Sequence, residues 1–197
     1  MADQFLLVDT KGELKKLRTQ LKGLSKKIES EDVLVKAINN AANRAKKDLV
    51  KEMFKVYALE DDIALSSTKD GKPRVKRATS ADLAATIISK GPMQGIQRYA
   101  VIENTKTEAA KAMVKSNSVM KALEIHGKKA FAVNLRSGHS AIMERTGKTR
   151  LPIREIMAPA LPIAFGNAEV QEPVQQEIQS VLQDAIQRQI TKVLKQA

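Results

Sequence analysis

The chain contains no cysteine and no tryptophan. Without cysteine there is neither a disulfide framework nor a thiolate metal site. Aromatic residues are only 3% of the 197, which argues against a large aromatic-rich sandwich and against a base-stacking platform for single-stranded nucleic acid. No apolar run approaches the roughly 20 residues of a membrane span, so no membrane association is expected. Phe5-Leu6-Leu7-Val8 follows an acidic Asp3 and lacks a basic leader, so it does not read as a signal peptide. The expectation is a protein made in the cytoplasm.

Chemistry is equally sparse. The two histidines, His126 and His139, each stand beside a turn glycine. Neither has a second ligand at helical spacing, as a metal centre would need. Gly147-Lys148-Thr149 has the end of a phosphate loop, but Ile142 stands where that loop needs glycine, and Leu151-Pro152 follows where it needs a helix. Ser137, His139 and Ser140 are adjacent without a nucleophile elbow or an orienting acid. Glu60-Asp61-Asp62 lacks the alternating spacing of a calcium loop. No residue qualifies as catalytic, cofactor-binding or metal-binding, so the expectation is a non-enzyme with no cofactor.

What the chain does have is aliphatic periodicity and positive charge. Apolar residues are 43%, supplied by Leu, Ile, Val, Met and Ala. A compact chain of this length buries roughly 70% of its unfolded surface. Net charge is +12, from 34 basic and 22 acidic residues. It is concentrated: Lys128–Arg154 carries seven cations against Glu144 alone, a net +6, whereas the stretch from Glu155 onward is net −2. Such a patch is either a set of solvated turn charges or a surface facing nucleic acid or an acidic protein.

Along the chain, Leu14, Leu17, Leu21, Leu24 and Ile28 repeat at spacings of three and four, an amphipathic helix that docks on its own domain or, second, on a neighbouring subunit. Ser30 followed by Glu31 and Asp32 marks a helix start. Leu34, Ala37, Ile38, Ala41, Ala45, Leu49 and Met53 continue as one stripe, which predicts the longest helix over Ser30–Phe54. A short further helix is predicted over Tyr57–Leu65, and a polar turn over Ser66–Pro73. Leu83–Ser89 alternates and is β-branched at Thr86, Ile87 and Ile88, favouring a strand. Ala109, Ala110, Ala112 and Met113 suggest a helix that Ser116-Asn117-Ser118 interrupts. Val174, Ile178, Val181, Leu182, Ala185, Ile186 and Ile190 form the apolar face of a last helix from about Glu172, with Pro173 in its first turn and glutamines on the opposite face. Ile178, Leu182 and Ile186 are its expected packing residues.

The most informative stretch is Lys128–Pro162. It predicts three strands and two tight turns: Ala130–Leu135, with Phe131, Val133 and Leu135 facing a core; Ser140–Arg145; and Leu151–Ile156, an edge strand or one irregular at its start, because Pro152 cannot donate to a ladder. Gly138 supplies the positive φ of the first turn. Pro159 and Pro162 are expected to stop regular structure.

Within that stretch, Ala130-Phe131, Arg136-Ser137-Gly138-His139, Glu144-Arg145-Thr146-Gly147-Lys148, Arg150-Leu151-Pro152-Ile153, Pro159 and Pro162 stand in an order that resembles the phage minor tail protein Z family. The resemblance is specific over about Lys129–Gly166 and looser over Leu34–Val50 and the last helix. It implies a structural virion protein, made in the host cytoplasm and residing in the tail or neck of a tailed phage or prophage. It further implies tail completion at the head-proximal end and head–tail joining. Implied partners are the tail terminator, tail tube, tape-measure end and connector, with a homo-oligomeric ring in the virion; the basic hairpin, for its part, leads to an expectation of non-specific DNA contact. The family implies no catalytic residues.

The expected fold is α+β: a helical N-terminal half, a small mostly antiparallel β-sheet and a C-terminal amphipathic helix. Its regions are 1–65 helical, 66–166 β-rich with the basic hairpin, and 167–197 helical, forming one structural domain. Arg136, Arg145, Lys148 and Arg150 are the candidate contacts to a partner or DNA. The alternative function is a basic nucleic-acid-binding protein using hairpin 136–154.

Overall fold

A computed structural model describes residues 4–8, 31–59, 71–125 and 127–195. In chain order the elements are β1 (Gln4–Val8), α1 (Glu31–Val56), β2 (Arg74–Lys76), β3 (Ala85–Ser89), β4 (Gln94–Gly95), a 3-10 turn (Ile96–Arg98), β5 (Ala100–Ile102), β6 (Lys111–Met113) and β7 (Lys121–Ala122). They continue with β8 (Glu124–Ile125), β9 (Lys128–Lys129), β10 (Phe131–Asn134), β11 (Ser140–Arg145), β12 (Ile153–Glu155), β13 (Met157–Ala158), α2 (Leu161–Phe165) and α3 (Ala168–Lys195). The fold class is α+β, and every sheet ladder is antiparallel. The described residues divide into two compact units, one drawing on 4–8, 31–52, 73–89 and 165–195, the other on 53–59, 71–72, 90–125 and 127–164.

The first unit is built on the long helices. The stripe of α1 is buried as its spacing requires: Leu34, Ala37, Ile38 and Ala41 join Ala78, Ala85, Val181, Leu182 and Ile186 in one cluster. Alanines at positions 37, 41 and 42 leave almost no side chain between the α1 backbone and what packs on it. The sheet beside the helices has the order β1-β3-β2. In the central strand Ala85, Ile87 and Ser89 are buried while Thr86 and Ile88 are half-buried, the alternation read from the sequence. Asn39 closes the unit by a two-point clasp. Its Nδ2 donates to Ala78 O at 3.1 Å, and Ala78 N–H donates to its Oδ1 at 2.9 Å. The asparagine thus pairs the backbone of a loop 39 residues away, as a strand would.

Helix α3 begins earlier than its apolar stripe suggests. Asn167 caps it: Glu169 N–H donates to Asn167 Oδ1 at 3.1 Å. Pro173 therefore lies inside the helix, not in its first turn. It forfeits one backbone bond near the end where few are at stake. Pro162 likewise does not end regular structure; it sits in the first turn of α2, a position its fixed φ suits.

In the second unit β5-β6-β7 form one small sheet, β10-β11-β12 another, and β4–β13 and β8–β9 are pairs. Backbone bonds stitch these together: Ala110 N–H to Ala130 O, Leu123 N–H to Ala110 O and Ile156 N–H to Ile142 O. Tyr99 is completely buried, and its hydroxyl donates to Pro159 O at 3.3 Å. Two expectations fail here. Residues 57–59 are not helical, for Tyr57 and Leu59 make bridges to Lys115 and Tyr99. The alanine-rich run 109–113 is extended, because β6 is the middle strand between β5 and β7. Ladder pairing and burial there override alanine's helix preference. The helix predicted over 14–28, its neighbour Ser30, and residues 60–70 lie outside the described residues.

Candidate functional site

The basic stretch folds as a three-stranded meander in which β11 is central. Its register is Phe131↔Met143 and Asn134↔Ser140 on one side, Met143↔Glu155 and Arg145↔Ile153 on the other. Being in the middle, β11 buries consecutive residues, Ala141 through Glu144. The predicted core face of β10 is only half-buried at Phe131 and Val133, and Leu135 is 39% exposed. The first turn closes with Leu135 N–H to His139 O and Gly138 N–H to Leu135 O, both 2.9 Å, and Gly138 has φ 82°. The second turn is tied more heavily. Thr146 donates from both its N–H and its hydroxyl to Pro152 O, each at 3.1 Å. Thr149 Oγ1 bonds Leu151 O, and Lys128 Nζ donates to Gly147 O at 2.7 Å.

This geometry separates the four predicted contact residues. Arg136 stands in the first turn; Arg145, Lys148 and Arg150 gather at the opposite end of β11. Five steps along a strand of about 3.4 Å each set the two ends about 17 Å apart. Arg136, Lys148 and Arg150 are exposed, and Arg145 is half-buried with its guanidinium 4.6 Å from the centre of the Phe131 ring, a cation–π contact. The Arg145 end also receives Lys128 and Lys129 from β9. A cleft of about 360 Å³ opens there, lined by Asn104, Lys106, Glu108, Lys128, Lys129, Phe131 and Arg145 among others. Lys129 Nζ donates to Thr107 O at 2.6 Å. The Glu108 carboxyl is held below the usual carboxylate range, first by the hydrogen bond from Lys111 at 2.9 Å and then by the charge of Lys111, with the charge of Lys129 adding less. Lys106, Asn104 and Phe131 were not marked by any sequence pattern as surface groups. Their grouping depends on a loop, 104–108, brought against a strand some 25 residues later.

Two polar links hold the meander's rims. Glu144 is buried, and its Oε1 accepts from Nε of Arg154 at 2.8 Å and from Nη2 of the same side chain. His139 Nε2 lies 3.2 Å from Glu155 Oε2, and Gln97 Nε2 donates to Glu155 Oε1 at 2.8 Å. A histidine with one carboxylate and one amide is a brace between the first turn and β12. Among the described residues no three His, Cys, Asp or Glu side chains converge as a metal site, and no helix is long and apolar enough to cross a membrane. On α3, Leu182 and Ile186 sit in the core at 2% and 0% exposure, whereas Ile178 is half-buried and outside that cluster.

What these residues offer is contact chemistry: largely exposed cations on a hydrogen-bonded meander, carried by a small α+β fold. The family assignment gives that surface its setting. The model of prophage minor tail protein Z (GPZ) matches residues 11–196, and the chain belongs to that family. It is a minor tail protein of a phage, a structural component of the tail that assembles with other tail proteins. Comparison with curated proteins and with solved structures gave no match.

Proposed function

We propose that this minor tail protein completes the tail at its head-proximal end and takes part in joining it to the head, working in the neck as a homo-oligomeric ring. Its neighbours in that reading are the tail terminator, tail tube, tape-measure end and connector. The carrying observation is the clustering of Lys128, Lys129, Arg145, Lys148 and Arg150 at one end of the meander, on a turn held by several internal hydrogen bonds. A pre-ordered turn loses little freedom when a partner covers it, which favours a contact role over a merely solvated one. Arg136, at the other end of β11, would meet a different part of the same partner or a second one.

The test is complementation of phage lacking this protein by a variant with Arg136, Arg145, Lys148 and Arg150 reversed in charge. A folded variant should give particles in which heads and tails accumulate unjoined, as electron microscopy would reveal. Normal infectivity from that variant would discard the contact surface. Duplex DNA binding measured from about 50 to 200 mM salt tests the nucleic-acid alternative: contacts to about six or more phosphates would weaken by orders of magnitude across that range.

A further inference from the structure

We propose that the cleft beside β10 receives an extended acidic segment of a partner protein, which adds to the β10 edge as a further strand. Strand β10 is the outer strand of its sheet. Its outward Ala132 N–H is occupied by a side chain, donating to Asn104 Oδ1 at 2.7 Å. That amide oxygen stands where the carbonyl of a neighbouring strand would stand. In an antiparallel ladder the N–H and C=O of one residue point the same way, and every second residue repeats the direction. Ala132 C=O and both backbone groups of Asn134 therefore face outward beside Asn104. With Ala132 N–H taken by Asn104, the edge offers two acceptors, the carbonyls of Ala132 and Asn134, and one donor, the Asn134 N–H, to an added strand.

The charge around this edge says which segment fits. Lys106, Lys128, Lys129 and Arg145 line the cleft against Glu108, and Glu108 is already engaged by Lys111. Two of the lysines are fixed by their bonds to Gly147 O and Thr107 O, so the field is held in place. Phe131, under the Arg145 guanidinium, gives the cleft an apolar floor for an aliphatic neighbour of the acidic residues. A duplex fits less well. Phosphates only accept, so they would meet the outward carbonyls of Ala132 and Asn134 with like partial charge. A cleft of about 360 Å³ also admits side chains and not a double helix.

The probe is a fluorescently labelled peptide of alternating glutamate and valine, measured by anisotropy against the full chain. Saturable binding is expected. N-methylation of the peptide at alternate residues on its bonding edge should weaken it about tenfold or more, since each lost backbone bond contributes about 1 kcal/mol. Lys106→Glu should weaken it about fivefold. Lys192→Glu, an exposed cation of α3 that does not line the cleft, makes the same change of charge and should leave binding unchanged, which separates a local site from the attraction of net charge. Asn104→Ala should tighten binding, because Ala132 N–H is then open. Equal affinity for the N-methylated peptide, equal loss in Lys106→Glu and Lys192→Glu, or tighter binding of duplex DNA at the same salt would each overturn the inference. Circular dichroism confirms that each variant is folded. The head-proximal placement is not needed here, so failure of peptide binding and failure of complementation are separate results.

Discussion

Replacing Ile186 by alanine tests how the helical unit is held together. Ile186 is 0% exposed and shares its cluster with Leu34, Ile38 and Ala42 from α1 and with Leu182 one turn away. Removing a buried aliphatic side chain costs about 2–5 kcal/mol, the larger values arising where the surroundings cannot collapse into the space. Here the walls come from two helices of 26 and 28 residues and from β3, which resist collapse, so a cost of about 3–4 kcal/mol is expected. For a chain of this size that lowers the melting temperature by roughly 6–16 °C. Ile178→Ala is the internal control. It lies two turns earlier on the same stripe but is half-buried and outside the cluster, so about 1 kcal/mol is expected. Urea unfolding followed by far-ultraviolet circular dichroism should show a lower midpoint for Ile186→Ala with an unchanged slope. Equal costs for the two variants, or an Ile186→Ala cost under about 0.5 kcal/mol, would refute this account of the core.

Three further outcomes are expected. Asn39→Ala leaves both backbone groups of Ala78 without the partners they now have, and should cost about 2–3 kcal/mol in the same urea assay, whereas replacing exposed Asn40 should cost little. Arg154→Ala strands the buried Glu144 carboxylate; because the arginine itself is 65% exposed, water softens the loss to about 1–3 kcal/mol, and Arg154→Ala with Glu144→Gln should recover part of it. Burial, with a smaller contribution from Tyr57, pushes the Tyr99 hydroxyl up from 10.0 to about 12. A raised folded-state value means that its contribution is complete below pH 10 and is lost as pH rises from about 10 to about 12. Across that window the stability of wild type should fall relative to Tyr99→Phe by about 2–3 kcal/mol, and a constant difference between the two would contradict the burial argument.

Short-range pattern alone determined a large part of this protein. The stripe from Leu34 to Met53, the β-branched run at Thr86–Ile88 and the apolar face from Val174 to Ile190 each repeat at a helical or strand period. The groups that repeat are those that water expels, so those elements were legible from residue order. Turn chemistry at Gly138 and the proline at 152 gave the meander and its edge strand. The same stretch carries the family resemblance that the match over residues 11–196 bears out.

The tertiary structure decided what depends on partners distant in the chain. Residues 109–113 are alanine-rich and locally favour a helix, yet pairing with Ala100–Ile102 and Lys121–Ala122 makes them a strand. Asn39 lies off the apolar stripe of α1, and only the fold brings the backbone of Ala78 to it. The four cations that sequence placed in one patch are divided between the two ends of β11, because successive turns of an antiparallel meander fall on opposite sides. Lys106 and Asn104 reach the basic end through loop closure, which leaves no periodic trace. A period records which face of an element avoids water; it does not record which face another element will cover.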